Sequence, residues 1–282
     1  MLDKIYLEIT NVCNLDCTFC HKTKREKKLM SEEEFEEILE KIRGKAKYLY
    51  MHLMGEPTLH PSLPNFVKKA RENGFLPAIT TNGSLLYKSG ADLIAAHPYK
   101  VSVSLHAKDA NPAFGADGYL ESCVDFAKCA AENGIFVALR LWNLGTDTDN
   151  STVLSYLHAA FPNEWRDLRG GSSHRLCERV FLEWGEHFDW PDTEARECDT
   201  NADMFCYGLR DQIGILVDGT VVPCCLDADA NLALGNIHNT DLDAILASER
   251  ARKIYDGFTR RRAVESFCRK CGYARRFSRL ST

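Results

Sequence analysis

Short runs of β-branched and aromatic residues alternate with longer amphipathic stretches along the first 160 residues. The runs predict five strands, at 4–10, 48–53, 75–80, 100–105 and 135–142. The amphipathic stretches predict helices, of which the first begins at Ser31 and the others occupy 61–73, 84–96 and 119–133. Strands that alternate with helices predict a parallel sheet with right-handed crossovers, and the chemistry of such sheets collects where the strands end.

The first helix carries an additional start signal. Ser31 and Glu34 have the spacing of a capping box, in which each side chain binds the backbone amide of the other residue. Met30 can pack against Phe35 as a hydrophobic staple, and the apolar residues from Phe35 to Ile42 recur at helical spacing. We therefore expect a helix whose amino end lies at Ser31.

The pattern loosens after about residue 160. One apolar run at 179–184 predicts a sixth strand within a segment rich in Trp, Glu and His. The segment 213–223 predicts a β-hairpin, because Asp218-Gly219 is a favoured two-residue turn between two apolar runs. A helix at 241–256 and a basic tail follow. The sequence thus predicts a strand–helix unit over residues 1–200 and a smaller unit over 201–282.

Composition and charge narrow the classes of function. No window is apolar enough to span a membrane and the first residues lack a secretory signal, so we expect a cytoplasmic protein without a membrane partner. The net charge of −5 argues against a general nucleic-acid binder. From Arg250 onward, however, eleven Lys and Arg residues stand against two acids. This tail is either a solvated helix face or a surface for an anionic substrate, a protein partner or RNA.

Three of the twelve cysteines lie close together after the first strand. Cysteines of a chain without a secretory signal are expected to be reduced and to bind metal or do chemistry. Cys13, Cys17 and Cys20 supply three thiolates, whereas a four-iron cluster usually takes four. One iron then stays open, and open metal positions are where substrates bind and react. Zinc is the alternative, although such zinc sites usually use two Cys-x2-Cys pairs.

A second group of cysteines lies near the carboxyl end. Seventeen residues separate Cys206 from Cys224, and Cys268 and Cys271 form a Cys-x2-Cys pair. Four thiolates saturate a second four-iron cluster, or alternatively a zinc ion. Cys225 adjoins Cys224, but adjacent strand residues point to opposite faces, so we expect Cys224 to be the ligand.

The remaining cysteines have no pairing at metal-ligand spacing. Cys123 and Cys129 lie on a predicted helix, where cysteine is a common packing residue. Cys177 has no assigned role. Cys198 lies in a polar stretch and is the one of these that we would test as a hydrogen-atom donor.

The cysteine triad after the first strand resembles the hallmark of the radical S-adenosylmethionine (SAM) superfamily. Met54-Gly55-Glu56-Pro57 resembles the Gly-Gly-Glu-Pro segment of that family, and Thr81-Asn82-Gly83 ends the third strand as in many members. The carboxy-terminal cysteines resemble the auxiliary-cluster domain called twitch, a shortened form of the SPASM domain. The resemblance implies an α/β fold, a partial (β/α)6 barrel with a small C-terminal auxiliary iron–sulfur domain.

The resemblance also implies the cofactors: two [4Fe-4S] clusters and SAM, with flavodoxin or ferredoxin as the external one-electron reductant. Cys13, Cys17 and Cys20 would hold the catalytic cluster, whose open iron binds SAM. Reductive cleavage of SAM would then give a 5′-deoxyadenosyl radical that abstracts a hydrogen atom from the substrate. The residues that the resemblance assigns to SAM are Phe19, Met54, Gly55, Glu56, Asn82, Ser104 and Arg140. For Arg140 a plain salt bridge is an equal alternative.

Substrate groups are expected at the barrel mouth, from His52, His106, Trp142 and Glu183. His52 alternates with apolar residues, which favours a core histidine with satisfied hydrogen bonds, and Glu183 stands in an apolar run where an acid needs a partner. Resemblance to compact single-twitch members implies a small-molecule substrate, and cleavage of the C–N bond of the modified base queuine is the specific hypothesis. The alternatives are oxidation of an alcohol, modification of a peptide, and a non-catalytic iron–sulfur or zinc scaffold.

Overall fold

A computed structural model describes residues 2–111, 117–168, 170–191 and 203–277. The strands are β1 Leu2–Leu7, β2 Ala46–Tyr50, β3 Leu76–Thr81, β4 Lys100–Ser104, β5 Phe136–Leu144, β6 Arg166–Asp167, β7 Ser173–Cys177, β8 Val180–Glu186, β9 Gln212–Ile215, β10 Thr220–Val222 and β11 Gly235–Asn236. The helices are α1 Glu32–Ile42, α2 Leu63–Glu72, α3 Leu86–Ala96, α4 Tyr119–Glu132, α5 Ser151–Ala160, α6 Leu242–Leu246, α7 Glu249–Thr259, α8 Ser266–Lys270 and α9 Gly272–Arg275.

Six strands, in the order β1-β2-β3-β4-β5-β8, run parallel to one another. Helices α1 to α4 connect the first five of them, as right-handed crossovers require. The fold class is therefore confirmed as an α/β partial (β/α)6 barrel, and the run at 179–184 is its sixth strand. Within the described residues, no helix is both long and apolar enough to cross a membrane.

The carboxy-terminal unit extends the same sheet. Strand β9 pairs in parallel with the free side of β1, so that Lys4 lies opposite Gln212 and Tyr6 opposite Gly214. The predicted hairpin is present, because β10 returns antiparallel to β9 and is followed by β11. The cysteines that follow this hairpin are thus placed relative to the barrel by the hydrogen bonds of one sheet.

One face of the parallel strands packs on the helices. Ile5 and Leu7 of β1 and Leu49 of β2 have no exposed surface and belong to the same core as Phe35 of α1 and Phe66 of α2. The rings of Phe35 and Phe66 stack with centroids 4.0 Å apart. Alternate residues of the strands therefore point away from this core, toward the concave side of the sheet.

The carboxy-terminal helix differs from its prediction. The segment 241–256 forms two helices, α6 and α7, which are separated at Ala247 and Ser248. Ser248 adopts an extended conformation, and its hydroxyl accepts a hydrogen bond from the amide of Ala251 at 3.3 Å. Serine is a strong helix N-cap, so it starts a second helix inside an amphipathic run. Helix α5 and the short strands β6 and β7 were not predicted.

The predicted boundary between residues 200 and 201 lies outside the described part of the chain, and so does Cys198. The two-unit division therefore stays a prediction, as does the test of Cys198 as a hydrogen-atom donor.

Replacement of Ser31 by Ala should lower the free energy of unfolding by about 1 kcal/mol. The hydroxyl of Ser31 accepts from the amide of Glu34 at 3.1 Å, and the carboxylate of Glu34 accepts from the amide of Ser31 at 2.8 Å. Chemical denaturation followed by circular dichroism measures the loss. Ser89→Ala is the matched control, because the Ser89 hydroxyl only bonds back to the carbonyl of Leu85 within α3. Equal losses in both variants would contradict the capping role.

Candidate iron–sulfur and SAM site

The three amino-terminal cysteines come together in the loop that follows β1. The Cys13 thiol lies close enough to Cys17 and Cys20 for their charges to raise its pKa, although burial and a hydrogen bond from Leu15 act on it more strongly. Side-chain amides approach two of the sulfurs: Asn111 Nδ2 lies 2.9 Å from the Sγ of Cys17, and Asn82 Nδ2 lies 3.9 Å from that of Cys13. Such N–H groups beside sulfur tune iron–sulfur clusters. This set of soft donors fits the cluster that the sequence predicts.

Gly55 lies directly against the start of the cysteine loop. Its φ angle of +76° is in the left-handed region, and a Cβ there would lie 2.5 Å from the carbonyl oxygen of Thr10 and 2.9 Å from the Asn11 backbone. Only glycine fits both restrictions. The amide of Glu56 then donates to the carbonyl of Val12 at 2.8 Å. The Gly-Glu-Pro segment and the cysteine loop are therefore joined through their backbones, where the sequence predicts that SAM binds.

The carboxylate of Glu56 is held by protein donors on both oxygens. It accepts from the amide and the hydroxyl of Thr58, from the hydroxyl of Thr81 at 2.8 Å and from the amide of Asn82 at 2.7 Å. Burial raises the pKa of this carboxyl, and these hydrogen bonds oppose that shift. Glu56 thus fixes the predicted SAM segment to the end of β3, so we interpret it as a positioning residue.

A second buried carboxylate, Glu8, was not identified from the sequence. Arg25 Nη2 donates to both of its oxygens at 2.7 Å, and the amides of Met54 and Val217 donate at 3.2 and 3.0 Å. Burial raises the pKa of Glu8, and the Arg25 guanidinium offsets only part of that effect. One side chain therefore connects the cysteine loop, the predicted SAM segment and the hairpin before Cys224. The sequence feature that could have identified Glu8 is an acidic residue within the apolar run of the predicted first strand.

The far end of the cysteine loop is held by other parts of the chain. Asp229 accepts from the Thr23 hydroxyl at 2.7 Å, and its other oxygen lies 3.2 Å from His21 Nε2. Trp190 Nε1 donates to the carbonyl of Phe19 at 3.0 Å. The Phe19 ring also packs on His106 at the end of β4, with centroids 4.9 Å apart. The loop is therefore positioned from the auxiliary unit and from the barrel.

Six inward side chains of the barrel strands define a region that we call the bore: Tyr6, Tyr50, His52, Thr80, Arg140 and Glu183. Three strand spacings, roughly 14 Å in a flat sheet, separate β2 from β5. The Arg140 charge on β5 nevertheless acts on Tyr50 and His52 of the β2 segment. These side chains therefore share one face of the sheet, the concave side of the partial barrel.

Glu183 has two cationic partners in the bore. Its carboxylate lies 2.7 Å from Lys100 Nζ and 3.2 Å from Arg140 Nε. Burial opposes ionisation of Glu183, but Arg140 and Lys100 together hold its pKa below the ordinary value. The salt bridge foreseen as the alternative for Arg140 is present, and the Arg140 guanidinium also lies 4.9 Å from the ring centroid of Trp142. Whether Arg140 also binds SAM stays a prediction, as does the role of Trp142.

The two predicted mouth histidines are both neutral at physiological pH. Burial, more than the nearby Arg140 charge, lowers the pKa of His52 to about 3, and burial lowers that of His106 to about 4. His106 Nδ1 lies 3.1 Å from the carbonyl of Arg140. His52 Nδ1, by contrast, is buried without a hydrogen-bond partner among the described residues. The expectation that the hydrogen bonds of His52 are satisfied was therefore wrong.

Other predicted SAM residues lie at the strand ends as expected. Asn82 Nδ2 donates to Asn14 Oδ1 at 3.0 Å and its backbone carbonyl accepts from the Tyr119 hydroxyl at 2.7 Å. Ser104 ends β4 beside Arg140 of β5, with which it is in register. These contacts bring Asn82 to the cysteine loop, whereas among the described residues no contact of the Ser104 hydroxyl ties it to that loop. Both assignments stay predictions.

The four predicted auxiliary cysteines converge. Burial raises the pKa of Cys224 most, and the charges of Cys206, Cys225, Cys271 and Cys268 raise it further. Burial likewise raises the pKa of Cys206 to about 11. In the described parts of the chain, no three His, Cys, Asp or Glu side chains surround one metal ion. The set of four thiolates fits a four-iron cluster, in which each thiolate binds a different iron.

Cys225 lies near this group as well as near the bore. Its thiol lies within hydrogen-bonding reach of the Tyr6 side chain, although burial has the larger effect and raises the pKa of Cys225 to about 11. The Gly208 backbone packs against Cys206 and Cys224, and its amide donates to Cys206 Sγ at 3.3 Å. Cys224 and Cys225 follow β10 in a turn, so the alternation of strand side chains that led us to expect Cys224 does not apply to them. The choice of Cys224 as the ligand stays a prediction.

Comparison with known protein families agrees with this geometry. Residues 7–156 match the family model of the radical SAM superfamily, which spans just over half of the chain, and residues 206–272 match an iron–sulfur cluster-binding domain, SPASM. This chain belongs to the radical SAM superfamily. Its members are enzymes that bind a [4Fe-4S] cluster and SAM, and the SPASM match adds an auxiliary cluster. The predicted family and cofactors are therefore confirmed, whereas the individual site residues stay predictions.

Curated relatives resemble parts of the chain. A tungsten-containing aldehyde ferredoxin oxidoreductase cofactor-modifying protein of Pyrococcus furiosus is 38% identical over 86 residues, 29% of this chain and 24% of that protein. A probable GTP 3′,8-cyclase of Methanococcus maripaludis is 33% identical over 135 residues, 46% of this chain and 45% of that protein. The matched region thus spans from about a quarter to just under half of the length of these relatives.

Solved structures share the fold over nearly the whole chain. BtrN in complex with AdoMet and 2-DOIA has a TM-score of 0.63 at 19% identity, with 96% of this chain and 93% of that chain covered. SuiB of Streptococcus suis has a TM-score of 0.63 at 17% identity, with 96% of this chain and 71% of that chain covered. At these identities the likeness concerns the fold alone.

Replacement of Cys224 by Ala should lower the iron content of the anaerobically reconstituted protein from about eight to about four atoms per chain. The Cys225→Ala variant is the matched control and should retain its iron, because that thiol faces Tyr6. Iron and sulfide assays with electron paramagnetic resonance measure both clusters. Iron loss in Cys225→Ala with full retention in Cys224→Ala would contradict the assignment.

Replacement of Glu8 by Gln should destabilise the fold by roughly 3 kcal/mol, because it leaves Arg25 unpaired in a buried site. The side-chain NH2 group of the new Gln would also face the backbone N–H of Met54 or of Val217, so that one of these amides would lose its acceptor. Thermal unfolding measures this loss. The exposed pair of Glu249 and Lys253 on α7 gives the control, Glu249→Gln, for which we expect no measurable loss. Similar losses of stability in the two variants would contradict the proposed role of Glu8.

Proposed function

We propose that this protein uses SAM to abstract a hydrogen atom from a small molecule that binds in the bore. One observation carries the proposal: polar and aromatic side chains such as Tyr6, His52 and Glu183 line the concave side of the sheet. Closed (β/α)8 barrels are filled there by packed Val, Ile and Leu. A lining of aromatic groups with a few convergent polar atoms is typical of a ligand site.

Different residues of the chain have different roles in this proposed reaction. When bound, a reduced four-iron cluster on Cys13, Cys17 and Cys20 together with SAM supplies the 5′-deoxyadenosyl radical that removes the hydrogen atom. Residues 54–56 orient SAM through their backbone. The ring of Phe19, which packs on His106, lies beside the adenine of SAM. The bore holds the substrate, and the thiol of Cys225 places the auxiliary unit at its edge. Flavodoxin or ferredoxin supplies the electron.

Within small molecules, the modified base queuine is our first candidate, with C–N cleavage that releases a 7-deazaguanine precursor. The support is the combination of a neutral histidine with the tilted rings of Tyr6 and Tyr50, 5.0 Å apart, which suit the flat, uncharged 7-deazaguanine ring of queuine. Oxidation of an alcohol is the second candidate, because the BtrN structure that holds 2-DOIA shares the fold over 93% of its length. Peptide modification is the third, because SuiB has also been solved bound to precursor peptide SuiA.

An anaerobic product assay separates these candidates. The reconstituted protein is reduced with dithionite and given SAM with queuine, 2-DOIA or SuiA, and 5′-deoxyadenosine and products are measured by mass spectrometry. We expect queuine to yield a 7-deazaguanine base with one equivalent of 5′-deoxyadenosine. Cys17→Ala should abolish both products. Cys129, which we expected to be a packing residue like the buried Cys123, is instead exposed on α4, so Cys129→Ala should abolish neither.

The outcomes exclude one another. Absence of SAM-dependent 5′-deoxyadenosine with every compound would overturn the enzymatic proposal and favour a scaffold. Turnover of SuiA alone would overturn the small-molecule class, and turnover of 2-DOIA alone would replace queuine by the second candidate.

A further inference from the structure

Two buried polar atoms of the bore lack partners within the described parts of the chain. They are Nδ1 of His52 and the hydroxyl oxygen of Thr80. Buried polar groups in folded proteins almost always have a hydrogen-bond partner, because burial without one is costly. An exception inside a candidate ligand site indicates where a ligand supplies the missing partner.

The two atoms belong to neighbouring segments of the chain. Tyr50, the last residue of β2, is in register with Ala78 of β3, and the amide of Met51 donates to the carbonyl of Ala78 at 2.9 Å. His52 follows β2 by two residues, and its ring contacts Tyr6 and Tyr50. Thr80 lies two residues beyond Ala78 on β3, where it alternates with the core residue Ile79 and so faces the bore. Both side chains therefore belong to the same side of the bore.

The surroundings of this pair define the kind of ligand. His52 contacts the rings of Tyr6 and Tyr50 edge-on, with centroid distances of 5.5 and 5.7 Å. Burial keeps the imidazole neutral, so it does not attract an anion as a cation would. The one carboxylate of the bore, Glu183, is neutralised by Lys100 and Arg140, so it does not select a cation.

We propose that His52 and Thr80 form a two-point hydrogen-bonding edge for an uncharged ring molecule that presents a donor and an acceptor on adjacent atoms. This inference rests on the proposed function and adds which residues recognise the substrate. A lactam edge of a heterocycle and a vicinal diol of a saturated ring both have this chemistry. A neutral imidazole and a hydroxyl suit either, because each can donate or accept.

Binding experiments with SAM-loaded, reconstituted protein test the proposal directly. Three probes distinguish the two sources: queuine carries both a lactam and a diol, 7-deazaguanine carries only the lactam, and myo-inositol carries only hydroxyls. Calorimetry gives the Kd of each probe and of SAM. We expect Thr80→Val and His52→Leu each to weaken the binding probe about tenfold, the loss that corresponds to one hydrogen bond.

Conservative variants separate recognition from damage to the fold. Thr80→Ser keeps the hydroxyl and His52→Asn keeps a polar atom near the position of Nδ1, so both should recover most of the affinity. His174→Leu is the matched control. Its Nδ1 is also buried without a partner among the described residues, but it lies on β7, near the sheet edge and away from the bore. Its probe affinity should not change.

Failure of the inference differs from failure of the proposed function. Unchanged probe affinity in Thr80→Val and His52→Leu would overturn the inference and leave a bridging water as the partner of both atoms. Binding of none of the three probes by a protein that still cleaves SAM would overturn it as well. Absence of SAM cleavage, in contrast, would remove the proposed function on which it rests.

Discussion

The geometry of the site depends on the buried carboxylate of Glu8. It joins three segments that are distant in sequence: the cysteine loop through Arg25, the predicted SAM segment through Met54, and the auxiliary hairpin through Val217. A buried charge is unfavourable unless its lone pairs are occupied, and here each oxygen accepts from the guanidinium and from one backbone amide. Because the carboxylate needs all of these donors, displacement of one segment weakens the placement of the others. The two cysteine groups are thereby coupled through one side chain.

The sequence predicted what is encoded locally and missed what depends on distant contacts. The capping box at Ser31 and the hairpin turn at Asp218 are set by residues within four positions of one another, and both are present. The helix at 241–256 was predicted as continuous because its periodicity outweighed the N-cap signal of Ser248. Glu8 binds residues 17, 46 and 209 positions away, and no local pattern specifies such partners. The missing partner of His52 is likewise a property of the folded bore.

The continuity of the sheet determines how the auxiliary cysteines lie relative to the bore. Because β9 pairs with β1 in register and β10 returns on β9, the turn that follows β10 is held at the side of the sheet where Tyr6 lies. This turn carries Cys224 and Cys225, whose charges act on each other and on Cys206, and Cys225 is also within hydrogen-bonding reach of Tyr6. An independent domain on a flexible linker would not fix this placement. The parallel pairing therefore brings the auxiliary cysteines next to the bore.

Arg140 links the charge balance of the bore with the predicted SAM site. Its Nε is used by Glu183 and its plane lies over Trp142, yet a guanidinium has five N–H groups, so a salt bridge and a SAM contact are compatible. While Glu183 is paired with both Arg140 and Lys100, it offers no free carboxylate to a cation, and the Arg140 charge adds to the effect of burial that keeps His52 neutral. The proposed preference for an uncharged ring thus follows from these ion pairs together with the burial of His52.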